Sequence, residues 1–297
     1  MQVKSRLMAQ INIAGIMRAG AFSPNHVGND AAIFNIVADE LRKRGCVVNV
    51  YSEEQFMNHG TVEEPVIINM CRERGSLELL QKLEDSGRIV INSGYGLENC
   101  IRERMTRILL GSGVPHPKSL IVSTDEMVED RLSKAGIEQA WIKRGDYHAQ
   151  HKEDVTFVHN AREAQEVLKE YFLRGIPRAV INDHVAGDMI KFYGIRDEDF
   201  FFSFFPFDKT GEEIPESHRT FDQRKLRDIC QTAAEELGIV IYGGDAILSA
   251  DGSLCITDFN DWPSFAACRE SAATPIAKAI MNVVKKSRKD NAHPKNS

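Results

Sequence analysis

The segment GGDAILSADGSLCITDFNDWPS, residues 243–264, constrains the fold more than any other part of this chain. Asp251-Gly252 stands between two alternating apolar runs, the strongest short-range signal for a β-hairpin. If those two residues form the whole loop, Ala250 faces Ser253, and stepping outward sets Asp245 directly opposite Asp258. Asn260, two residues further along, then shares their face. Like charges opposite one another in a ladder are destabilising unless something compensates. A divalent cation would compensate, and two carboxylates with an amide oxygen are hard ligands suited to Mg2+. A longer loop would slip the register, and a one-residue slip turns each side chain to the other face, leaving both aspartates at a wet rim.

Around this hairpin the chain reads in two styles. In the first ninety or so residues, apolar runs alternate with helical patterns: QINIAGIM, CVVNVY, PVIINM and RIVINS are strands. A helix capped by Asn29 carries the stripe Ile33, Phe34, Ile36, Val37 and Leu41 and stops at Gly45; another spans about 76–87. Alternation of this kind predicts a small parallel sheet, a Rossmann-like α/β domain over residues 1–96. From Leu97 the pattern becomes α+β: an arginine-bearing helix over 99–110, then KSLIVS, AWIK, TFVH, RAVINDHV, DMIKFYGI and DFFFSFFPF interspersed with helices. A helix over 221–238, the hairpin and a last helix to Lys286 complete a second domain, residues 97–286, with a hinge near 180–188. The polar stretch 287–297 reads as a frayed tail.

Two further segments carry chemistry. In AVINDHVAGDMIKFYGI an apolar strand ends at Asp183-His184-Val185, where backbone groups could hold a purine; Asp188 could accept from ribose hydroxyls, and the next strand carries Lys191. The alternative is an ordinary strand connection with a solvated Asp and Lys. In WIKRGDYHAQHKED, Lys143 ends a strand and Arg144, His148, His151 and Lys152 follow in a loop rich in phosphate donors, which could equally be a solvated turn. No G-x-x-x-x-G-K-[ST] segment is present, and Gly15 with Gly20 is too irregular for a dinucleotide fingerprint.

Composition narrows the function classes. Thirty-seven Lys and Arg against 43 Asp and Glu give a net charge of -6, so no global basic field invites nucleic acid. No apolar run reaches eighteen residues, so no membrane span is expected. Met1–Gly15 lacks a long apolar stretch followed by a small-residue cleavage site, and the six cysteines form no C-x-x-C pair. A cytoplasmic protein with reduced, buried thiols is the expectation.

Taken in order, RERMTRILLGSGVPHPKSLIV, WIK, VINDHVAGDMIK and GGDAI with ITDFN resemble the ATP-grasp superfamily from about Leu97 to Lys286. The resemblance implies an ATP-grasp module behind a Rossmann-like domain, with ATP and Mg2+ as cofactors. It implies ATP contacts from Lys143, His148, Asp183, His184, Val185, Asp188 and Lys191, and metal ligation by Asp245, Asp258 and Asn260. Lys191 and an arginine of the opening helix, Arg104 with Arg102 as the other candidate, would act in catalysis. The sequence departs from the pattern at Asp258, where many members carry Glu although the inositol phosphate kinase branch also uses Asp-x-Asn. It departs again in a phosphate loop with a single glycine, and in arginine where lysine is usual.

The resemblance implies a ligase that joins a carboxylate to an amine or similar nucleophile through an acylphosphate. The alternatives are a kinase of a hydroxyl group and a nucleotide-binding protein without turnover. The partner would be a small-molecule carboxylate or peptide, with self-association left open. Pockets favour domain interfaces, so Arg18 in the loop after the first strand, and Trp262 and Ser264 after the metal strand, are candidate substrate contacts.

Overall fold

The computed structural model describes residues 10–20, 27–147, 151–206 and 221–292. The chain divides into two compact units, residues 1–94 with 264–297, and residues 95–263.

In the first unit β1 (Asn12–Met17), β2 (Val47–Ser52), β3 (Val66–Asn69) and β4 (Ile89–Ile91) form a parallel sheet in the order β2-β1-β3-β4. Ile13, Ala14, Ile16, Ile67 and Ile68 lie fully inside, as strands covered on both faces require. The connections are α1 (Val27–Lys43), α2 (Glu53–His59) and α3 (Arg74–Asp85). Asn29, expected as the cap of α1, sits inside its first turn and accepts a hydrogen bond from Arg269 Nη2 at 2.9 Å. The helix α2 escaped the sequence reading, although Ser52 and Gln55 cap it reciprocally. The buried Glu53 accepts from the backbone N–H groups of Ala19, Arg72 and Glu73, each at 2.8 Å, and so ties together the segments that follow β1 and β3.

The second unit opens with α4 (Gly94–Asn99) and α5 (Arg102–Ser112) and holds two antiparallel sheets. The first, in the order β5-β8-β6-β7, joins β5 (Ser119–Ser123), β6 (Ala140–Arg144), β7 (Val155–Val158) and β8 (Arg178–Asp183), with α6 (Glu129–Ala135) and α7 (Ala161–Leu173) behind it. Leu132, Leu168 and Tyr171 of those helices pack on Ile142 and Ile181. The second sheet has the order β10-β9-β11-β12, from β9 (Asp188–Ile195), β10 (Phe201–Phe204), β11 (Ile241–Leu248) and β12 (Leu254–Asp261). Its apolar face, with Ile190, Phe192, Tyr242, Ile256 and Phe259, packs on α5 and on α8 (Gln223–Leu237). Each sheet therefore spends one face on a core, and its other face mixes polar with apolar side chains.

The last helix, α9 (Arg269–Ala292), departs from expectation twice. It packs on α1 and β4 of the first unit rather than closing the second, with Cys46 Sγ 3.6 Å from Met281 Sδ, so the boundary expected at 286 falls at 263. It also carries residues 287–292 as regular helix, where a frayed tail was expected. All six cysteines are free and five are buried, in line with the sequence. No described helix is long and apolar enough to cross a membrane.

Candidate active site

The hairpin of β11 and β12 sets Asp245 opposite Asp258, by a different route from the arithmetic above. The turn is one residue longer: Ser249 N donates to Ser253 O at 3.0 Å, Gly252 N donates to Ser249 O at 2.9 Å, and Gly252 takes φ +81°. Leu248, Ile247 and Ala246 accordingly face Leu254, Cys255 and Ile256. Continued unbroken, that register would put Asp258 across from Gly244 and turn it toward Phe192. A β-bulge at Thr257 supplies the missing residue, and the phase of β12 changes there: Leu254 and Ile256 are buried before it, Phe259 and Asp261 after it. The bulge is held from several sides. Ile256 N donates to Pro115 O at 2.7 Å, and His116 Nδ1 lies 2.7 Å from Ile256 O. Lys143 Nζ donates to Thr257 O at 2.9 Å, and Thr257 Oγ1 donates to Asp245 O at 3.2 Å.

The registers across the whole sheet arrange its polar face in rows. Met189, Ile247 and Cys255 make the first row, Phe204, Lys191, Asp245 and Asp258 the second, and Phe202, Tyr193, Gly243 and Asn260 the third. Lys191 Nζ is 2.9 Å from Asp245 Oδ1, and Arg102 Nη2 is 3.4 Å from both carboxylate oxygens of Asp258. Asn260 Nδ2 lies 3.5 Å from Asp258 Oδ2. The like-charge pair expected to stand uncompensated is thus flanked by a cation on each side. Arg102 lies on the buried stripe of α5 with Met105, Thr106 and Leu109, and its Nε and Nη1 are buried with no hydrogen-bond partner. Buried donors left in that state call for an explanation, and an anion bound beside them would supply one.

Burial, and then the neighbouring Arg102, bring Lys143 down to about 8 against the pull of Asp258 and Asp245. Burial raises Asp245, with Lys191 opposing. Burial disfavours the charge on Lys191 too, yet Asp245 raises it above the usual lysine value. His116 is pushed down to about 4 by burial, so its imidazole is neutral at pH 7.

Among the described residues no three His, Cys, Asp or Glu converge as a self-sufficient metal cage. Two facing, partly exposed carboxylates with an amide beside them fit Mg2+, which takes few protein ligands and completes its shell with water and phosphate oxygens.

The segment 183–188 leads from β8 of one sheet to β9 of the other. Asp183 N donates to Lys118 O at 2.8 Å and His184 N to Gln139 O at 2.9 Å, so these amides are already engaged. The His184 ring accepts from Trp141 Nε1 at 3.3 Å and meets the Phe157 ring edge-on. Gly187 passes so close to Leu248 O that a side chain would clash there. Val185 and Asp188 are half-buried along the same connection.

Several expected residues stand elsewhere. Arg104 points off the buried stripe and pairs with Glu98, so the helix arginine at the site is Arg102. Arg18 is buried against Asp30 at 2.9 Å and Met70 O at 3.2 Å in the first unit, which commits it to that unit's interior. Trp262 is fully buried, a core side chain and not a cleft wall. Ser264 is half-buried in the first unit, and His148 lies outside the described residues. The sequence reading missed Thr257 and His116, whose roles arise only from the bulge.

The whole chain is similar to solved ligase structures. It aligns with a D-alanine–D-alanine ligase from Bacillus anthracis complexed with ATP at 12% identity and TM-score 0.68, covering 95% of this chain and 100% of that one. It aligns with the D-cycloserine synthetase DcsG at 16% identity and TM-score 0.66, covering 92% and 99%. The ATP-grasp ligase PsnB, complexed with minimal precursor, Mg and ADP, aligns at 16% identity and TM-score 0.62, covering 92% and 98%. No protein-family model and no curated protein matches the sequence. The fold is the ATP-grasp fold, as the order of the motifs implied.

Proposed function

We propose that this protein is an ATP- and Mg2+-dependent ligase that joins a carboxylate to an amine or similar nucleophile through an acylphosphate. The observation that carries this reading is the second row of the polar face. Asp245 and Asp258 stand opposite one another there, with Lys191 on one flank and the half-satisfied Arg102 on the other. Lys143 reaches in from the facing sheet. Three cations around two carboxylates suit a highly charged phosphate ester together with its metal.

Asp245, Asp258 and Asn260 would hold magnesium, which when bound neutralises phosphate charge and orients the chain. The connection 183–188 would hold the base, with Asp188 on the ribose. Lys143, Lys191 and Arg102 would draw charge from the phosphoryl oxygens as the substrate carboxylate attacks, and preorganised donors of this kind carry most of such catalysis. No protein nucleophile is required. The parallel-sheet unit fits a Rossmann-like partner domain, and a small-molecule carboxylate or a peptide fits as substrate.

The test is ADP and phosphate release from Mg2+-ATP with a panel of carboxylates, using hydroxylamine as a general nucleophile to trap acylphosphate as hydroxamate. Hydroxamate formation supports the ligase. A stable phosphate ester of a hydroxyl compound would replace it with the kinase, and ATP binding without any product would leave a nucleotide-binding protein.

A further inference from the structure

We propose that the carboxylate substrate carries an aromatic or flat apolar group, which lies on a shelf formed by Tyr193, Phe202 and Phe204. The inference rests on the ligase reading and adds the substrate class.

The order of the rows gives the direction. The connection 183–188 enters β9 at Asp188, beside the row Met189, Ile247 and Cys255. A nucleotide held by that connection covers this row and ends its phosphates at Lys191, Asp245 and Asp258. The organic part of a carboxylate that reacts there continues into the third row. Successive rows on one face lie about 7 Å apart, so a carboxyl group at the second row sets a ring joined to it through one or two carbons over the third.

The third row consists of Phe202, Tyr193, Gly243 and Asn260, with no charged side chain. A second charge on the substrate at that depth would meet no partner in the row. Rings would meet rings: Tyr193 stacks with Phe202 at 6.5 Å and 15°, and with Phe204 at 6.3 Å and 28°. Phe202 and Phe204 lie 5.6 Å apart. All three are half-buried and stand apart from the core on the other face, where Phe201, Phe205 and Phe221 pack. The described core on that face does not include them. Gly243 is buried and lets Tyr193 and Pro263 close over it, because a Cβ there would come 2.8 Å from Tyr193 Cδ1 and 2.7 Å from Pro263 Cγ. An aromatic patch continuous with a reacting centre is a recognition surface.

In the reaction a carboxylate oxygen attacks the terminal phosphorus and the bond to the ADP oxygen breaks. The nitrogen of hydroxylamine then attacks the acyl carbon, loses a proton and expels phosphate. The assay compares benzoate, phenylacetate and phenylalanine with acetate, glycine and alanine, reading hydroxamate formation alongside the melting shift from Mg2+-ATP. The aromatic acids are expected to show KM values about three- to tenfold or more below their aliphatic counterparts, the range that ring stacking supplies. Phe202→Ala should raise KM for the aromatic acids by the same factor and leave kcat nearly unchanged, the mark of lost uniform binding. Phe202→Leu keeps the volume without the ring and should show the same loss, which guards against a poorly folded alanine variant. Equal KM values for the two classes, or an unchanged KM in Phe202→Leu, with the Mg2+-ATP shift intact, would overturn the shelf and leave the ligase reading standing. No melting shift, or no hydroxamate from any acid, would remove the ligase reading and the shelf with it.

Discussion

Replacing Asp258 by Asn probes the site most directly, because Asp258 has opposite obligations with and without ligand. In the ligand-free protein it faces Asp245 on one side and Arg102 on the other. Removing its charge relieves a cross-strand like pair worth up to about 1 kcal/mol. It also weakens a charge-assisted hydrogen bond to a buried guanidinium, worth roughly 1.5–3 kcal/mol. The 3.4 Å separations and the remaining amide oxygen place that loss near the lower end. Two bare aspartates would make the substitution neutral or stabilising; Arg102 reverses the sign. The expected net loss is about 1 kcal/mol, or roughly 2–4 °C in Tm for a unit of this size. Ligand binding is the larger effect. Mg2+-ATP at a hundred times Kd stabilises the wild type by about 2.7 kcal/mol, and the magnesium-dependent part should vanish in the variant. Melting curves of both proteins with neither ligand, with ATP alone and with Mg2+-ATP separate the terms. A variant that keeps the full magnesium-dependent shift would refute the assignment of Asp258 to the metal. A variant that melts higher without ligand would refute the role given to Arg102.

Arg102→Ala should lower turnover by about a hundredfold or more, as loss of one preorganised donor does, whereas Arg104→Ala should be close to wild type; equal losses would mean that both act only through α5. Lys143→Ala should weaken nucleotide binding about tenfold or more, in keeping with one lost charge-assisted contact, while the apo protein stays folded; normal ATP affinity by calorimetry would make Lys143 a structural link to Thr257 only. The depressed His116 gives a pH dependence of fixed sign. The unfolded chain takes a proton near pH 6.5 and the folded one only near 4, so stability should fall as pH drops through that window, by up to about 3 kcal/mol. Urea unfolding at pH 7 and pH 4.5 should show that loss shrinking in His116→Asn, and an unchanged pH dependence would rule His116 out.

How much of this was legible in the sequence depends on the range of the interaction involved. The hairpin was legible because its signal is local, yet the derivation reached the right pair through two compensating features. The three-residue turn displaces the register by one, and the bulge at Thr257 restores it. Neither leaves a clear mark on its own segment, because the bulge is held by Pro115, His116 and Lys143, more than a hundred residues away along the chain. The choice between Arg102 and Arg104 was legible after all. Arg102 precedes Met105, Thr106 and Leu109 at the spacing of one helical face, and an arginine on an apolar stripe has to find a buried anion or hold itself ready for one. Trp262 and Arg18 were misplaced for the opposite reason: a loop position implies exposure, whereas tertiary packing and Asp30 bury them. The aromatic third row lay furthest from reach, since it exists only once β10, β9, β11 and β12 are in register. Each of its rings reads in sequence as ordinary core, and only the pairing turns Tyr193 and Phe202 onto the face of Lys191. The charges that define the reaction were written in short motifs, while the surface that would select a substrate was written across strands. That is the order in which a shared chemistry and a particular specificity are expected to separate.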